Sequence, residues 1–378
     1  MTKAIILSGG WGTRLRPLTC TIPKSLIPIV NKPVIERQIL LLKTAGVKEI
    51  VLAVSVMSEV VEKYFGDGRR LNVKIHYTDE KYPMGTAGAI RLAEDYLKDD
   101  NFFMLNGDVI MDFDFSDFLL SHQKYGGIGT IASRIVEDPS RYGVLIVDKK
   151  TNQLYKFLEK EEYSPPEGKI IPMPINAGVY LLEPTIFSYI QPKKKVSIER
   201  EVFPRVANDN QLFHYPITGI WKDVGKPLDL LEANIELMNH IIKNLKGKVK
   251  NLIDDSVDID PTTNIRSPCT IGKDVVIRKN CSIGPNVIIG DDVYVDKNTK
   301  INNSLIYNEA YISENASITN AIISDNCLIG KNVQLTGEDE NLIILASFVK
   351  VDKDVKLISK NHQSISYCHH EIVKESIE

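Results

Sequence analysis

A six-residue spacing of aliphatic residues in the last third of the chain limits its fold more than any other feature of the 378-residue sequence. Isoleucine or valine recurs at every sixth position from Ile259 to Ile301, and the spacing resumes at Ile306 and at Ile323 after two five-residue steps. An α-helix repeats its faces about every 3.6 residues and a strand about every two, so neither element explains this period. The spacing is typical of a parallel β-helix whose coils have three short faces, each with one aliphatic residue pointing inward. A run of β-hairpins would instead need alternation within each strand and denser turn dipeptides.

The first two thirds of the chain alternate short apolar runs with helical patterns. Residues 4–7, 50–54 and 102–105 are strand-like, and a helical pattern follows Pro33. Strands that alternate with helices predict βαβ units and a largely parallel sheet covered on both faces. Because ligands bind beyond the carboxyl ends of the strands in such sheets, we expect functional loops after the first and the third of these strands.

These two patterns divide the sequence into parts with different periods. We predict an α/β domain over residues 1–240, a linker over 241–255, a β-helix over 256–349 and a C-terminal tail over 350–378. A helical pattern that ends at Gly247 connects the first two parts, and residues 364–367 of the tail are strand-like.

Composition and charge exclude several classes of partner. The chain carries 46 Lys and Arg against 49 Asp and Glu, which gives a formal charge of −3 and no general basic face for a nucleic acid. No uncharged stretch approaches the ~20 residues that cross a bilayer, so we expect no membrane span. The first apolar run is too short for a signal peptide, and the five cysteines form no C-x-x-C pair. Together these features favour a cytoplasmic protein with reduced thiols.

The loop after the first predicted strand combines glycines with positive charge. Gly9, Gly10 and Gly12 can turn backbone N–H groups into one space, where a phosphate would bind. Arg14 and a second arginine two positions on supply guanidinium groups that bind phosphate in a bidentate manner. The loop matches neither the dinucleotide-binding GxGxxG pattern nor a Walker loop, and a flexible turn with solvated arginines is the alternative. Lys24 follows in an apolar segment held by prolines, which indicates a lysine directed at a ligand.

Seven stretches of the sequence point to one family. They are GGWGTRLRPLT and PKSLIPIVNKPVIERQI near the N-terminus, followed by GTAGAI, NGDV, FLEK, INAGVY and WKDVG. Together they resemble the signature of the sugar-1-phosphate nucleotidyltransferases, and the resemblance continues through the repeat region to cover nearly the whole chain. SIEREVFP and DPTTNI are most similar to the branch that makes GDP-mannose from GTP and mannose 1-phosphate. The resemblance implies a Rossmann-like, mixed, mostly parallel sheet in the nucleotidyltransferase domain, followed by a left-handed parallel β-helix of hexapeptide repeats.

The resemblance also implies a role for each matching residue. Arg14 and Lys24 would be the catalytic cations, Arg14 on the β- and γ-phosphates and Lys24 on the α-phosphate. The nucleotide-binding residues would be Leu7, Gly9, Gly10, Gly12, Thr13, Arg14, Glu80, Gly85 and Thr86. The residues that bind the sugar phosphate would be Gly143, Glu159, Lys160, Asn176 and Gly178. For Glu159 and Lys160 a solvated run of charges is the alternative, since other charged residues flank them.

Two aspartates in the matching motifs are candidates for a metal site. Because the reaction joins two anions, it needs charge neutralisation, and the resemblance implies that Asp108 and Asp223 bind Mg²⁺ together with phosphate oxygens and water. Asp108 follows a predicted strand at its carboxyl end, where such a ligand belongs. An aspartate beside glycine is also a common turn former, which is the alternative role.

One residue indicates which base the site reads. By resemblance, Glu80 stands where family members that read uracil, thymine or adenine usually have glutamine. A carboxylate only accepts hydrogen bonds, which suits the adjacent N1–H and N2–H donors of guanine, whereas an amide also donates. Glutamate therefore favours GTP, and the alternative is a surface residue in a charged triplet.

Three functions are compatible with these motifs. The first is guanylyl transfer to mannose 1-phosphate, the second is thymidylyl or uridylyl transfer to glucose 1-phosphate, and the third is a non-catalytic subunit that senses nucleotide sugars. The third would predict loss of the cationic and carboxylate residues, yet all are present. The repeat region has no histidine from Ile259 to Val349, which leaves only His362 as a base for a second, acyltransferase activity. We predict instead that the β-helix serves homo-oligomerisation.

Overall fold

The computed structural model describes residues 2–80, 82–165, 168, 170–246, 248–359 and 363–377. Gly247 and His362, both singled out from the sequence, lie outside the described residues. The chain divides into two compact units. The first unit comprises Met1–Gly10 and Val34–Lys222, and the second comprises Trp11–Pro33 and Asp223–Glu378.

The chain up to residue 244 contains the α-helices and the longer strands. Its strands are β1 (Lys3–Ser8), β2 (Pro28–Ile29), β3 (Lys32–Pro33), β4 (Glu49–Val54), β5 (Lys74–Asp79), β6 (Phe102–Asn106), β7 (Val109–Asp112), β8 (Gly129–Val136), β9 (Val144–Val147), β10 (Leu154–Leu158), β11 (Met173–Leu182), β12 (Leu212–Pro216) and β13 (Ile220–Asp223). Its α-helices are α1 (Val34–Thr44), α2 (Ser58–Phe65), α3 (Gly85–Leu92), α4 (Glu94–Leu97), α5 (Phe115–Tyr125), α6 (Phe203–Asn208) and α7 (Pro227–Asn244). Short 3-10 helices lie at Thr13–Leu15, Leu18–Cys20, Lys24–Leu26, Arg69–Leu71 and Pro184–Tyr189, and Ile198–Val202 forms a π-helix. Within the described ranges no helix is both long and apolar enough to cross a bilayer.

A nine-stranded sheet forms the centre of the first unit. Its main path is β10-β9-β11-β6-β1-β4-β5, and β8 joins β11 to β12. The adjacent strands β6, β1, β4 and β5 run parallel, while β11 runs antiparallel to β6. The predicted strands at 4–7, 50–54 and 102–105 fall within β1, β4 and β6, so the predicted mixed sheet is confirmed.

Three sheets of parallel strands form the repeat part of the second unit. The first sheet contains Leu252–Ile253, Cys269–Ile271, Val287–Ile289, Ser304–Ile306, Ala321–Ile323, Ile343–Leu345 and Ile365–Tyr367. The second sheet contains Asp258–Ile259, Val276–Ile277, Tyr294–Val295, Tyr311–Ile312, Leu328–Ile329, Lys350–Val351 and Ile372–Val373. The third sheet contains Asn264–Ile265, Ser282–Ile283, Lys300–Asn302, Ser317–Thr319, Gln334–Thr336 and Lys356–Ile358. Each strand pairs in parallel with the strand one coil further on, as the predicted left-handed β-helix requires.

The six-residue spacing marks the interior of this β-helix. The predicted inward residues from Ile271 to Leu335 are buried in a single apolar cluster. The pairing of Thr270 with Ile288 spans one residue more than the pairing of Ile288 with Leu305. The five-residue steps in the sequence are therefore slightly shorter coils and not ends of the β-helix.

The recurring Asn and Asp residues lie at the corners between strands. Their backbones have positive φ, for example 59° at Asn280, 61° at Asn298 and 62° at Asn315. Asn and Asp tolerate this left-handed conformation better than other residues with a side chain. Their amides also form a ladder between coils, in which Asn298 Nδ2 donates to Asn315 Oδ1 and Asn315 Nδ2 donates to Asn332 Oδ1, both at 3.0 Å. The polar positions of the repeat thus set the corners.

The strands of the β-helix extend beyond the predicted boundaries. The first strand, Leu252–Ile253, lies in the predicted linker, and the last strand, Ile372–Val373, lies in the predicted tail. The spacing of six is hidden after Leu335 because residues 337–342 form a longer loop between two strands. The strand-like residues noted in the tail form Ile365–Tyr367 of the first sheet.

The segment Trp11–Pro33 packs against the β-helix within the second unit, although its place in the sequence predicts membership of the α/β domain. The Asn31 side-chain amide donates to Ile289 O at 2.7 Å, and the Tyr307 hydroxyl donates to Pro28 O at 3.4 Å. The β-helix therefore holds the segment that contains Gly12, Arg14 and Lys24, whereas Gly9 and Gly10 belong to the first unit.

Candidate active site

The carboxyl ends of the parallel strands β1, β4, β5 and β6 lie at one edge of the sheet in the first unit. The Ser55 hydroxyl, after β4, donates to Gly9 O at 2.9 Å. Gly107 N donates to Leu7 O at 2.8 Å, and a Cβ at Gly107 would lie 2.6 Å from that oxygen. Glycine at position 107 thus allows the loops after β1 and β6 to approach. This edge places the predicted nucleotide residues Leu7, Gly9 and Gly10 together, where parallel sheets bind ligands.

Glu80 begins the turn after β5, and the backbone of that turn orients its carboxylate. Glu80 N donates to Val54 O at 3.3 Å, and Met84 N donates to Glu80 Oε2 at 3.0 Å. Gly85 closes the turn with a φ of 73°, and a Cβ there would lie 2.5 Å from Val196 O. The half-buried Glu80 side chain is therefore fixed in direction by a turn that requires glycine at its end.

The Thr86 hydroxyl contacts another part of the first unit. It donates to Glu199 Oε2 at 2.7 Å and accepts from Ile198 N at 2.8 Å. Both partners lie in the π-helix Ile198–Val202. The side chain of Thr86, predicted to bind nucleotide, thus fixes the first turn of α3 against the π-helix.

Strand β11 carries two of the residues predicted to bind the sugar phosphate, Asn176 and Gly178. Asn176 N donates to Gly143 O at 2.8 Å, which joins a third predicted residue to this strand. The Asn176 side chain accepts from Gly178 N at 3.0 Å and donates to the Tyr180 hydroxyl oxygen at 2.8 Å. Gly178 has a φ of 71°, and a Cβ there would lie 2.8 Å from Asn106 Nδ2, so this close approach requires glycine. The structure brings these three predicted residues together.

Glu159 and Lys160 follow β10 and differ in exposure. The Glu159 side chain is 20% exposed and lies 4.0 Å from Arg200 Nη2. Burial raises the pKa of Glu159 above its usual value, and Arg200 opposes that rise. The Lys160 side chain is 54% exposed, and its Nζ lies 3.9 Å from Glu161 Oε1. Water screens such a surface contact, so a phosphate can compete for this ammonium group.

The second unit positions Lys24 against the glycine-rich loop. Gly12 has a φ of 59°, and a Cβ there would lie 3.1 Å from Lys24 Cβ and 2.9 Å from Thr19 Cγ2. The Thr19 hydroxyl donates to Gly12 O at 2.8 Å. The stem of Lys24 therefore packs directly on the loop, and any larger residue at position 12 would displace it.

Arg14 lies beside the WKDVG motif within the same unit. A Cβ at Gly225 would lie 3.3 Å from Arg14 Nη1 and 3.2 Å from Asp229 Oδ2. Arg14 is exposed, and Gly225 follows Asp223 by two residues. The structure thus brings Arg14 to the loop that contains the second predicted metal ligand.

Asp108 and Asp223 are the carboxylates predicted for a metal. Asp108 precedes β7 in the first unit, Asp223 ends β13 where the second unit resumes, and both are half-buried. Throughout the described part of the chain, no group of three or more His, Cys, Asp or Glu residues could hold a metal by itself. Isolated carboxylates suit Mg²⁺, which takes substrate phosphates and waters as its other ligands, and do not suit a zinc site.

Comparison with known families decides the class of this chain. A family model described as "Nucleotidyl transferase" matches residues 3–240. The chain belongs to the nucleotidyl transferase family. A second model, described as "GMPPB C-terminal domain", matches residues 265–378. The resemblance to the sugar-1-phosphate nucleotidyltransferases is confirmed, and the chain is an enzyme of this type.

Relatives and a solved structure agree with this family. "Mannose-1-phosphate guanylyltransferase catalytic subunit beta" of Dictyostelium discoideum is 44% identical over 256 residues, which cover 66% of this chain and 67% of the relative. The protein of the same name from Danio rerio is 39% identical over 274 residues, 71% of this chain and 74% of the relative. The crystal structure of HddC from Yersinia pseudotuberculosis complexed with GMP-PN has a TM-score of 0.53 and 28% identity, and the match covers 63% of this chain and 100% of that one.

Sequence reasoning missed the side chains that support the predicted binding residues. Glu199 contacts Thr86, and Trp221 Nε1 donates to Ala177 O at 2.8 Å beside the predicted sugar-phosphate residues. The Trp221 ring also packs edge-on against Tyr142, with centroids 5.4 Å apart. SIEREVFP and WKDVG are visible signatures in the sequence, but a supporting contact between distant residues leaves no spacing that would reveal it.

Proposed function

We propose that this nucleotidyl transferase is a mannose-1-phosphate guanylyltransferase, which converts GTP and mannose 1-phosphate to GDP-mannose and pyrophosphate. The observation that carries the proposal is 44% identity to a Dictyostelium discoideum protein of that name. A phosphate oxygen of mannose 1-phosphate attacks the α-phosphorus of GTP, a new P–O bond forms, and the bond to the pyrophosphate oxygen breaks. A cytoplasmic location, which the sequence predicts, belongs to the same proposal.

The glycine-rich loop and its cations are proposed to bind the triphosphate. Arg14 would hold the β- and γ-phosphates, and Lys24 would hold the α-phosphate and stabilise charge that moves to the leaving pyrophosphate. The packing of Lys24 Cβ and Cγ on Gly12 supports this role, because it sets the start of the lysine side chain beside the glycine-rich loop. Leu7, Thr13 and the loop glycines would approach the nucleotide through their backbones.

The sugar phosphate is proposed to bind along β11 and after β10 in the first unit. Lys160 would bind the phosphate, while Glu159 and Asn176 would bind the sugar hydroxyls. Gly143 and Gly178 would contribute backbone contacts to the sugar phosphate. The exposed ammonium group of Lys160 and the hydrogen bond between Asn176 N and Gly143 O support this assignment.

Asp108 and Asp223 are proposed as ligands of Mg²⁺. Bound Mg²⁺ would supply positive charge to the phosphate oxygens of the nucleotide. Both aspartates are half-buried, Asp108 in the turn between β6 and β7 and Asp223 at the end of β13, so each carboxylate can hold a cation while remaining open to substrate.

The function is tested by pyrophosphate release over a grid of four nucleoside triphosphates and several sugar 1-phosphates in the presence of Mg²⁺. Release with GTP and mannose 1-phosphate, well above every other pair, supports the proposal. Preference for UTP or dTTP with glucose 1-phosphate would assign the alternative reaction. No turnover with any pair would favour the non-catalytic sensor.

The first specific prediction concerns the choice of base. In Glu80→Gln, the amide oxygen can keep the hydrogen bond from Met84 N, which leaves the amide N–H₂ to face a donor edge of guanine. We expect kcat/KM for GTP to fall by the equivalent of about 1–3 kcal/mol, with little change for ATP or UTP.

The matched control is Glu62→Gln, which makes the same change on the exposed face of α2. It should leave the ratio of GTP to ATP turnover unchanged. If Glu80→Gln also leaves that ratio unchanged, Glu80 does not read the base.

Homo-oligomerisation through the β-helix is also part of the proposal, and the second sheet supports it. Its outward residues include the apolar side chains of Tyr311, Leu328 and Ile372, which are 42%, 47% and 57% exposed, and Lys350 lies between Leu328 and Ile372. The outward residues of the third sheet are polar, for example Lys300. Tyr311 and Leu328 are neighbours on this face, and adjoining exposed apolar side chains are typical of a surface that binds another protein chain.

The second prediction tests this face. Leu328→Glu should convert the oligomer to a smaller species in sedimentation velocity, because the interface would have to remove a new charge from water. Lys300→Glu on the third sheet should leave the sedimentation coefficient unchanged. Equal coefficients for all three proteins would exclude the second sheet as the assembly surface.

A further inference from the structure

The carboxylate of Glu199 connects residues that we assign to two different substrates. Its Oε2 accepts from the Thr86 hydroxyl at 2.7 Å and from the Ser197 hydroxyl at 2.9 Å. Its Oε1 accepts from the Tyr180 hydroxyl at 3.3 Å. Thr86 belongs to the turn assigned to GTP, and Tyr180 contacts Asn176, which is assigned to mannose 1-phosphate. We call these five residues the Glu199 network.

On the sugar side, the hydrogen bonds of the Glu199 network run in one direction. Gly178 N donates to Asn176 Oδ1, Asn176 Nδ2 donates to the Tyr180 oxygen, and the Tyr180 hydroxyl donates to Glu199. Because a carboxylate can only accept, Glu199 fixes the direction of the Tyr180 hydroxyl. That hydroxyl in turn fixes which end of the Asn176 amide faces Gly178.

Tyr180 is suited to this role because it is fully buried. Burial raises its pKa well above the usual value of a tyrosine, and the nearby Glu199 carboxylate adds to the rise. The phenol therefore stays neutral and keeps its proton for Glu199.

On the nucleotide side, the same carboxylate fixes the start of α3. The Thr86 hydroxyl accepts from Ile198 N at 2.8 Å and so must point its own proton at Glu199. Thr86 directly follows Gly85, whose positive φ closes the turn that begins at Glu80. Glu199 itself lies in the π-helix Ile198–Val202, an element that is frequent at functional sites.

We propose that Glu199 is a positioning residue that orients both substrate-binding regions of the first unit and couples the binding of GTP to that of mannose 1-phosphate. The identity of the two substrates rests on the proposed function. In-line transfer needs both reactants in a narrow range of positions, so one group that fixes both regions favours reaction over separate binding. A shift of either region on binding changes the hydrogen bonds that Glu199 offers to the other.

The test compares Glu199→Gln with the wild type by initial rates over a grid of both substrates. A glutamine must present N–H₂ either to the hydroxyls of Thr86 and Ser197 or to the hydroxyl of Tyr180, and it brings no negative charge to the other side. We expect the KM of both GTP and mannose 1-phosphate to rise by about 10-fold, the loss typical of one hydrogen bond to a charged group. Thr86→Val should raise mainly the KM of GTP, and Tyr180→Phe mainly that of mannose 1-phosphate.

Two comparisons separate positioning from a general loss of structure. Glu201→Gln is the matched control, since its side chain accepts from Ser197 N at 2.9 Å and a glutamine oxygen can do the same. It should leave both KM values unchanged.

The effects of Thr86→Val and Tyr180→Phe should be smaller when added to Glu199→Gln than when made in the wild type, because the shared acceptor is already altered. If Glu199→Gln does not fold, the test uses Thr86→Val, Tyr180→Phe and the variant that carries both changes. The effects of the two changes on the KM values should then combine non-additively.

The proposal is overturned if Glu199→Gln changes the KM of only one substrate, or if all effects add fully. Failure of the proposed function gives a different result, because the wild type would then turn over another substrate pair. The same comparison of KM values is made with that pair. If no pair turns over, thermal unfolding with GTP alone, with mannose 1-phosphate alone and with both together measures the coupling. With both ligands present, the unfolding temperature of the wild type should rise by more than the sum of the shifts that each ligand causes alone. In Glu199→Gln the rise should not exceed that sum. A simple sum in the wild type overturns the proposal.

Discussion

Asp108→Asn should lower kcat by roughly 10²–10³-fold at a Mg²⁺ concentration that saturates the wild type. Asp108 follows β6 at the edge of the sheet where the loops after β1 and β6 approach each other. The substitution keeps the size of the side chain and one oxygen acceptor but removes the negative charge that favours a divalent cation. We therefore expect part of the activity to return as Mg²⁺ is raised. The measurement is pyrophosphate release against Mg²⁺ concentration with both substrates saturating.

Asp99→Asn is the matched control, because it changes an exposed aspartate at the opposite end of the same strand. It makes the same change in charge, and we expect wild-type kcat and Mg²⁺ dependence. Thermal unfolding of both variants checks that the fold is kept. Wild-type behaviour of Asp108→Asn, or an equal loss in Asp99→Asn, would show that Asp108 does not hold the cation.

The β-helix is the part of the fold that the sequence predicts most completely. Each coil repeats the same inward position, so burial from Ile271 to Leu335 follows from the spacing alone. The ends of the β-helix could not be predicted in the same way. The loop at residues 337–342 breaks the period although strand pairing continues, because pairing depends on backbone hydrogen bonds and not on a fixed coil length.

The candidate site also has one part that the sequence predicts and another that it does not. Motifs predict Asn176, Gly178 and Gly143 as a group, and the structure joins them by hydrogen bonds. The support that Glu199 gives to Thr86 could not be predicted, because a contact between residues so distant in sequence leaves no periodic signal. The same reason applies to the packing of Trp11–Pro33 on the β-helix, since Tyr307 and its partner Pro28 are distant in sequence.

That packing changes the interpretation of the second unit. The sequence predicts an assembly module, but the β-helix also binds the segment that carries Arg14 and Lys24. Val30 N of the segment donates to the buried side chain of Asn234 in α7 at 2.7 Å. The β-helix and α7 thus both fix this segment within the second unit. The positions of the proposed catalytic cations, which the segment carries, therefore depend on both elements.

Lys24→Gln should lower kcat/KM for GTP by roughly 10²–10³-fold, the loss expected when one fixed group that stabilises developing charge is removed. The first carbons of the Lys24 side chain pack on Gly12, so the direction in which the side chain leaves the backbone is set before substrate binds. Glutamine keeps a similar length and can still donate a hydrogen bond, but it brings no positive charge to the α-phosphate. We expect a large fall in kcat and a smaller rise in the KM of GTP, because the charge on the phosphates grows as pyrophosphate leaves.

Lys32→Gln separates this effect from a general loss of positive charge. Lys32 lies in the same segment, in β3, and is exposed. The control should retain wild-type kcat and KM, and steady-state pyrophosphate release at several GTP concentrations measures both variants. A rise in KM without a fall in kcat for Lys24→Gln would mean that Lys24 binds GTP and its transition state equally. A fall of the same size in both variants would mean that overall charge, and not the position fixed by Gly12, determines the rate.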